Sequence, residues 1–437
     1  MTELPEGWEL RRLSDCLEKL KSGKKAERGW SPQCLSHPSV DENVWGVLKT
    51  TSVQMGEFQP EYNKELPNSL APKSGLEVNS GDFLVTTTGP RNRCGIVCHV
   101  KKTRKRLIFS GKILRFRVNE SLILPNWLMY LLMSPEYQNI LDKMKVGTSD
   151  SSVSIGNQQI LDLQIPVPPL PEQQKIVEIL EDHLSRLDAA LADVKQAKLK
   201  AAQFRRSLLQ AAFTGNLSGD GTSLMTELSP SWKVSKIGDV ADVIRGVTYS
   251  KADILSENDK NSVPLLRATN LEVDAIDFNE MVYVPKKVVK EQQFLRIDDI
   301  LLAASSGSIS VVGKSAQVVK TNGATFGAFC SVIRPKSIHA KFLALWVQSP
   351  EIRDHWSATA KGTNINNLKT SDILETRVPL PPLSEQQKIV NILESYLSHL
   401  DVSVAMADEM ERLSSSLRRS LLQASFTGQL TKEVASV

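Results

Sequence analysis

A long stretch of this sequence occurs twice, and the repeat restricts the folds that the chain can adopt. Residues 165–217 begin IPVPPLPEQQKIVEILEDHLSRLD, and residues 378–430 begin VPLPPLSEQQKIVNILESYLSHLD, at a constant offset of 213 positions. The two copies end alike, as FRRSLLQAAFTGNL and LRRSLLQASFTGQL. A repeat without gaps is typical of a helix, because one inserted residue would rotate every later side chain onto another face.

Apolar residues in both copies have the spacing of a coiled-coil seam. In the first copy, which we expect to be helical from Glu172 to about Ala212, steps of four and three join Leu180, Leu184, Leu187, Leu191 and Val194. Both helices are long for a domain core. We therefore favour an antiparallel pair over two helices buried in separate cores. Lys198 and Arg205 interrupt the seam, which indicates an exposed stalk or a surface for partners.

The segments before each long helix are weaker copies of one another. Trp8 corresponds to Trp232, and SGDFLVTTTG at 80–89 resembles IDDILLAASSG at 297–307. Short β-type runs alternate with helical runs, which predicts an α+β fold. The chain thus divides into four predicted regions: globular domains at 1–165 and 218–378, and helical regions at 166–217 and 379–437.

Composition limits the class of protein. Of the 437 residues, 41% are hydrophobic and 23% are charged, and the net charge of +4 permits a polyanionic partner without requiring one. No apolar run is long enough for a membrane span, and the N-terminus lacks a secretory signal. Five scattered cysteines do not form a disulfide framework. We expect a cytoplasmic protein.

Common catalytic signatures are missing from the sequence. It contains no Walker A, GxGxxG, HExxH or GxSxG motif, and no Asn/Asp-Pro-Pro-Tyr motif of amino-methyltransferases. Cys94, Cys98 and His99 lack the spacing of a zinc ribbon, so we interpret them as a strand with incidental thiols. A non-catalytic binding protein without its own metal or cofactor is therefore favoured over an enzyme.

Three kinds of segment are candidates for contact with nucleic acid. They are hydroxyl- and glycine-rich loops after a strand pair, a basic run at 101–106, and asparagine- or threonine-bearing loops before the long helices. Small residues let a loop approach phosphates, Arg and Lys can bind phosphates or guanine, and Asn can pair with adenine. Solvated turns, a solvated charged face and ordinary loops are the competing interpretations. The candidates in these segments are Thr87, Arg91, Arg93, Lys101, Lys102, Arg104, Lys105, Thr148, Ser305, Ser306, Ser308, Lys314, Lys361, Asn364 and Asn366. Further candidates outside them are Lys49, Arg245, Lys251, Arg267 and Asn270.

Taken together, the repeated IPVPPLPEQ and VPLPPLSEQ starts, the EQQKIV openings and the SLLQAAFTG-type ends resemble a known family. They are similar to the specificity subunits of Type I restriction–modification systems, and the resemblance covers nearly the whole chain. It implies that each globular domain is a target recognition domain reading one half of an asymmetric, bipartite DNA site. It also implies that the two long helices pair and set the spacing between the half-sites.

The resemblance further implies partners for this chain. Two methylation subunits would bind S-adenosylmethionine and modify adenine. Restriction subunits that use ATP and Mg²⁺ would join the same complex, and this chain would perform no chemistry. Arg205, Arg206, Arg418 and Arg419 would then serve the helix ends or a partner rather than DNA. A coiled-coil scaffold without DNA readout, or a fused enzyme, is the alternative.

Overall fold

The computed structural model describes residues 4–213, 232–256, 260–272, 274–362 and 365–427, and these form two compact units. Unit 1 comprises residues 1–194 and 409–437, and unit 2 comprises residues 195–408. Each of the two long helices begins in one unit and ends in the other. The predicted boundary at 217/218 lies outside the described residues.

Unit 1 combines small β-sheets with short helices. Its main sheet has four strands in the order Ala26–Arg28, Ile113–Phe116, Phe83–Thr86 and Val97–His99. The other strands are Leu107–Phe109, Gly46–Leu48 and Asn63–Glu65 in one sheet, Val146–Ser149, Ser152–Ser154 and Thr88–Gly89 in another, and the pairs Glu9–Arg12 with Gln164–Val167 and Val53–Gln54 with Glu57–Phe58. The helices are α1 (Pro125–Met133), α2 (Pro135–Lys143), α3 (Asn157–Leu161) and the start of α4 (Leu170–Phe213).

Unit 2 has the same architecture. Its main sheet has the order Ala241–Arg245, Cys330–Pro335, Ile300–Ala303 and Ser315–Gln317. The other strands are Val282–Pro285, Ser262–Leu266 and Thr325–Phe326 in one sheet, and the pairs Ser305–Ser306 with Asn366–Asn367 and Lys233–Lys236 with Arg377–Leu380. The helices are α5 (Ile237–Val240), α6 (Ala340–Val347), α7 (Pro350–Thr359), α8 (Thr370–Leu374) and the start of α9 (Leu383–Ser425).

Strand register shows that the two globular parts are copies of one fold. Phe83 pairs with Phe116 in unit 1, and Ile300 pairs with Ile333 in unit 2, so both partners are displaced by 217 positions. In both units a second sheet combines a parallel and an antiparallel pairing around its middle strand. The predicted α+β fold with internal duplication is confirmed, although few side chains are shared between the copies.

The long helices pair in antiparallel fashion, as predicted. In unit 1, Asp188 of α4 forms an ion pair with Arg418 of α9. In unit 2, Arg205 of α4 forms an ion pair with Asp401 of α9 at 3.2 Å. Residue numbers fall along α9 as they rise along α4, which fixes the direction. The two pairs are also copies of each other, because Asp188 and Arg205 shifted by 213 positions become Asp401 and Arg418.

Lys198 and Arg205, which interrupt the apolar seam, still take part in the pairing of the two helices. Both side chains occupy seam positions and are less than one-third exposed. Lys198 reaches Asp408 of α9 at 2.6 Å, and Arg205 reaches Asp401. The seam therefore continues through ion pairs where its apolar residues end. A sequence pattern that counts only apolar residues cannot detect this continuation.

The repeated helix ends are docking points. Phe426 follows the end of α9 and packs edge-on against Trp127 of α1, with ring centroids 4.8 Å apart. Phe213 at the end of α4 packs edge-on against Phe342 of α6, with ring centroids 5.3 Å apart. Each of the four rings is at least nine-tenths buried. Each unit thus includes the end of the long helix that began in the other unit.

A repeated glutamine fixes the start of each long helix to the unit in which it begins. Gln173 is fully buried, and its Nε2 donates to the carbonyl oxygen of Pro168 at 2.8 Å. Its Oε1 accepts the backbone N–H of Leu124 at 2.8 Å. Gln386, 213 positions later, makes the same bonds to Pro381 and His339 at 2.7 and 2.8 Å. Buried amides with these partners fix the direction in which the helix leaves the sheet.

Candidate nucleic-acid interface

Two of the loops predicted to contact nucleic acid are neighbours in unit 1. Residues Thr88–Gly89 pair with Ser152–Ser154, which pair in turn with Val146–Ser149. The loop that follows the central strand and the loop that precedes α3 therefore form one small sheet. Thr148 is exposed on it.

Unit 2 brings the corresponding loops together in the same way. Ser305–Ser306 pairs with Asn366–Asn367. The Nδ2 of Asn366 donates to the carbonyl oxygens of Ser306 and Gly307, both at 3.3 Å. This cross-link holds the serine loop and the asparagine loop side by side. Asn364 lies outside the described residues.

Several predicted residues are committed to the protein's own backbone. Arg93 donates to one side chain and to two backbone carbonyl oxygens, at 2.8 to 2.9 Å. Thr87 is fully buried, and its hydroxyl donates to the carbonyl oxygen of Lys112 at 3.2 Å. Asn270, 4% exposed, accepts the N–H of Arg267 at 2.9 Å and donates to two carbonyl oxygens. These hydrogen bonds hold the loops in place.

Two more predicted arginines are held by neighbouring groups. Arg91 forms ion pairs with Asp142 and Asp150 at 3.1 and 2.8 Å, and its hydrogen bond to Asp150 raises the pKa of the guanidinium. Arg104 donates to the carbonyl oxygens of Ser39 and Val44 at 3.0 and 3.3 Å, and burial lowers its pKa. Either guanidinium would have to give up bonds within the protein before it could bind phosphate.

The basic run borders a cleft of its own. Lys101, Lys102 and Lys105 are exposed, and together with Arg104 they line a cleft of about 230 Å³ whose other wall includes Glu77. The run connects the strands Val97–His99 and Leu107–Phe109. It is therefore separate from the paired loops of unit 1, and its exposed amines suit contact with a phosphate backbone.

Four predicted residues of unit 2 line one open cleft of about 570 Å³. They are Lys251, Arg267, Ser305 and Ser306. Arg267 donates from Nη2 to the carbonyl oxygen of Glu280 at 3.1 Å, and its buried Nε has no hydrogen-bond partner within the described residues. Two cationic side chains and two serines therefore lie on the walls of one concavity.

The remaining predicted residues lie at other places on the units. Lys49 and Lys361 are exposed, Lys314 is half-buried, and the hydroxyl of Ser308 lies 2.9 Å from that of Ser310. Arg245 lines a second cleft of unit 2, about 780 Å³ in volume, whose lining also includes Lys290 and Arg296.

Sequence reasoning missed three exposed side chains and one arginine. Phe329 and Ile365 complete the 570 Å³ cleft and are 61% and 54% exposed. Lys112 is exposed at the position in unit 1 that corresponds to Phe329. Arg28 corresponds in register to Arg245, because their strand partners Leu114 and Ser331 are also 217 positions apart. Extending the comparison of the two copies to residues 26–28 would have found Arg28, but exposure of an apolar residue has no sequence signal.

Three cysteines of unit 1, Cys16, Cys94 and Cys98, are buried, and Cys34 is half-buried. Burial raises the pKa of the Cys98 thiol to about 12, so it is neutral at physiological pH. The neighbouring His99 stacks on Phe83, with ring centroids 4.9 Å apart, and burial lowers its pKa. Within the described ranges, no three His, Cys, Asp or Glu side chains are grouped so that they could hold a metal ion. Nor does any described helix combine the length and apolarity that crossing a membrane requires.

Similarity to known proteins agrees with this geometry. The chain shares 36% identity over 212 residues with the specificity subunit of Type I restriction enzyme EcoEI from Escherichia coli, covering 48% of this chain and 34% of that one. It shares 36% identity over 208 residues with the EcoKI specificity subunit from Escherichia coli strain K12, covering 47% and 45%. The chain thus spans less than half the length of these two relatives. The MjaVIII specificity subunit from Methanocaldococcus jannaschii is 22% identical over 436 residues, covering 96% and 93%.

Solved structures show the same fold. A chain from a type I R-M system, studied for its complex assembly and conformational transition, superimposes with a TM-score of 0.74 at 20% identity, covering 98% of this chain and 100% of that one. The HsdS subunit from Thermoanaerobacter tengcongensis gives a TM-score of 0.57 at 20% identity, with 98% of each chain covered. The family model described as Type I restriction modification DNA specificity domain matches residues 5–200 and again residues 230–408. The duplicated fold, the antiparallel helices and this double match establish that the chain belongs to the Type I restriction modification DNA specificity family.

Proposed function

We propose that this chain selects the DNA sequence for a Type I restriction–modification complex. Each globular copy reads one half of a bipartite site, and because the two copies carry unlike side chains, the site is asymmetric. The chain itself performs no chemistry. The observation that carries this proposal is a pair of equivalent paired loops, which we call the loop platforms, with different residues exposed on each. They are Thr88–Gly89 with Ser152–Ser154 in unit 1 and Ser305–Ser306 with Asn366–Asn367 in unit 2.

Physical complementarity supports DNA as the ligand. In unit 2 the platform borders a cleft with Lys251 and Arg267 on its walls, and the equivalent region of unit 1 exposes Lys49 and Lys112. Cationic side chains beside small hydroxyl residues suit phosphates and base edges. A scaffold that only held helices together would have no use for two cationic platforms whose residues differ.

The proposed partners supply the chemistry that this chain lacks. We assign S-adenosylmethionine to two methylation subunits, and ATP and Mg²⁺ to restriction subunits. The repeated faces of the long helices offer equivalent binding positions to two equivalent partners. Family membership supports this assignment, together with the 213-position repeat of the helix pair.

The decisive experiment is co-expression with a methylation subunit, followed by genome-wide mapping of modified adenines. We expect one asymmetric motif with two specified parts separated by a fixed gap. A contiguous or palindromic motif would contradict the two-reader proposal. Failure of the assembled complex to bind any DNA sequence selectively would favour the scaffold alternative.

A further inference from the structure

The same backbone turn occurs in both units beside the loop platforms. In residues 110–113 the N–H of Ile113 donates to the carbonyl oxygen of Ser110 at 3.0 Å, and in residues 327–330 the N–H of Cys330 donates to that of Gly327 at 2.8 Å. The carbonyl oxygen of the third residue of each turn also accepts a backbone N–H. Lys112 accepts that of Thr87 at 2.8 Å, and Phe329 accepts that of Ala304 at 2.9 Å. These matched bonds fix both turns rigidly in equivalent positions.

The exposed side chain on this turn differs between the units. Unit 1 presents Lys112, which is exposed, and unit 2 presents Phe329, of which 61% is exposed. An aromatic ring that is largely exposed to water on a rigid turn lacks the stabilisation that burial would give it. Because the turn is anchored by its backbone, the fold itself does not require an aromatic residue at this place.

The surroundings of Phe329 indicate what covers it. Its ring borders the 570 Å³ cleft together with the half-exposed Ile365, and the cationic residues Lys251 and Arg267 line the same cleft. This combination of cationic and exposed apolar side chains suits an anionic ligand that also presents an apolar group to Phe329. Among base edges in the major groove of DNA, only thymine presents a methyl group.

We infer that the turn at 110–113 and 327–330 reads a base pair in each half-site, and that Phe329 contacts the C5 methyl group of a thymine. Lys112, at the equivalent place in unit 1, faces a hydrogen-bond acceptor such as the O6 and N7 of guanine. This inference rests on the proposed function and names the chemistry of its readout. A partner protein that docked equivalently on both units would meet a cationic side chain on one turn and an aromatic ring on the other. Two half-sites with different base pairs, in contrast, are recognised by different side chains.

The test uses the complex with its methylation subunit and duplexes that carry the mapped motif. Each thymine of the motif, on either strand, is replaced singly by deoxyuridine, which lacks only the methyl group. We expect one position at which binding weakens about fourfold, the factor for burying one methyl group. With F329A, binding to the unmodified duplex should weaken by about four- to tenfold, and deoxyuridine at that position should cause no further loss.

Matched controls separate the possible failures. Val319 is 79% exposed in the same unit and outside the cleft, so V319A should keep the full deoxyuridine effect. Recognition of the other half-site should persist in F329A, which shows that unit 1 is intact, and an unchanged melting transition of unit 2 shows that the substituted unit is folded. A motif without a sensitive thymine, or a sensitivity that survives F329A, would overturn the inference and leave the bipartite motif standing. So would a loss of complex assembly in F329A at unchanged DNA affinity, because it would assign the cleft to a protein partner. Absence of any bipartite motif would instead refute the proposed function.

Discussion

Substitution of Phe213 by alanine tests whether the repeated helix ends dock each long helix into the unit where it ends. Phe213 is 7% exposed and packs edge-on against the fully buried Phe342 at 5.3 Å. Removing a buried phenylalanine side chain costs about 3–5 kcal/mol, including the cavity that it leaves. Phe213 is the last residue of α4, where the structure can relax most easily around the cavity. We therefore expect the free energy of unfolding to fall by about 3 kcal/mol, the lower end of this range.

The size of unit 2 converts this loss into a melting shift. A destabilisation of 1 kcal/mol lowers the melting temperature by about 2–4 °C in a domain of 150–250 residues. Unit 2 spans residues 195–408 and falls in that range. F213A should therefore lower the transition of unit 2 by about 6–12 °C. Calorimetry with hydrogen–deuterium exchange mapped on peptides identifies which unit unfolds.

The equivalent variant supplies the control. F426A removes the ring that packs on Trp127 and should destabilise unit 1 by a similar amount. The two variants should therefore affect opposite units, although both change the same position of the repeat. The docking argument would be refuted if F213A lowered the free energy of unfolding by less than about 1 kcal/mol. It would also be refuted if F213A accelerated amide exchange in unit 1 more than in unit 2.

Three further predictions concern polar contacts. Q386L leaves buried backbone partners unsatisfied and should cost about 1–3 kcal/mol, whereas Q387L, at an exposed neighbouring position, should cost less than about 0.5 kcal/mol in chemical denaturation. R205D places like charges together and should weaken the helix pair by about 0.5–1 kcal/mol, and the double variant R205D/D401R should recover part of that loss in a double-mutant cycle. R93A frees two loop carbonyl oxygens, and we expect faster amide exchange in residues 50–54 at unchanged global melting temperature. Equal costs for the two glutamines, no recovery in the cycle, or unchanged exchange would contradict these assignments.

The repeated parts of the fold could be predicted from the sequence, and the surfaces of the sites only in part. The long helices and their pairing follow from apolar spacing, and the predicted limits of the first, Glu172 and about Ala212, lie within two residues of the observed limits of α4. The strand Ile300–Ala303 lies in the segment IDDILLAASSG, one of the short β-type runs from which the sequence predicts an α+β fold. Ion pairs at seam positions could not be predicted from apolar spacing, because Arg205 resembles an interruption of the seam until its contact with Asp401 is known.

Site residues were harder to predict because exposure depends on tertiary structure. Arg93 and Thr87 are residue types expected in a phosphate-binding loop. Their polar atoms nevertheless donate to backbone carbonyl oxygens distant in sequence, those of Thr50 and Lys112. Conversely, Phe329 looks like a core residue in the sequence SSG…FGAFCSV, and only the fold places it in water. Lys251 and Arg267 are candidates from the sequence as basic residues of the second globular domain, but only the coordinates show that they line one cleft.

The constant offset of the repeat has a geometric cause. In the antiparallel pair, Asp188 contacts Arg418 in unit 1, and Arg205 contacts Asp401 in unit 2. The two contacts are separated by the same number of residues on α4 and on α9. An insertion in one helix would displace every later contact, including the docking of the phenylalanine at its end. The helices must therefore keep equal length and matched sequence, whereas the exposed residue of each reading turn is anchored only by its backbone. A change from lysine to phenylalanine at that place alters what the unit can recognise and leaves the scaffold bonds unchanged.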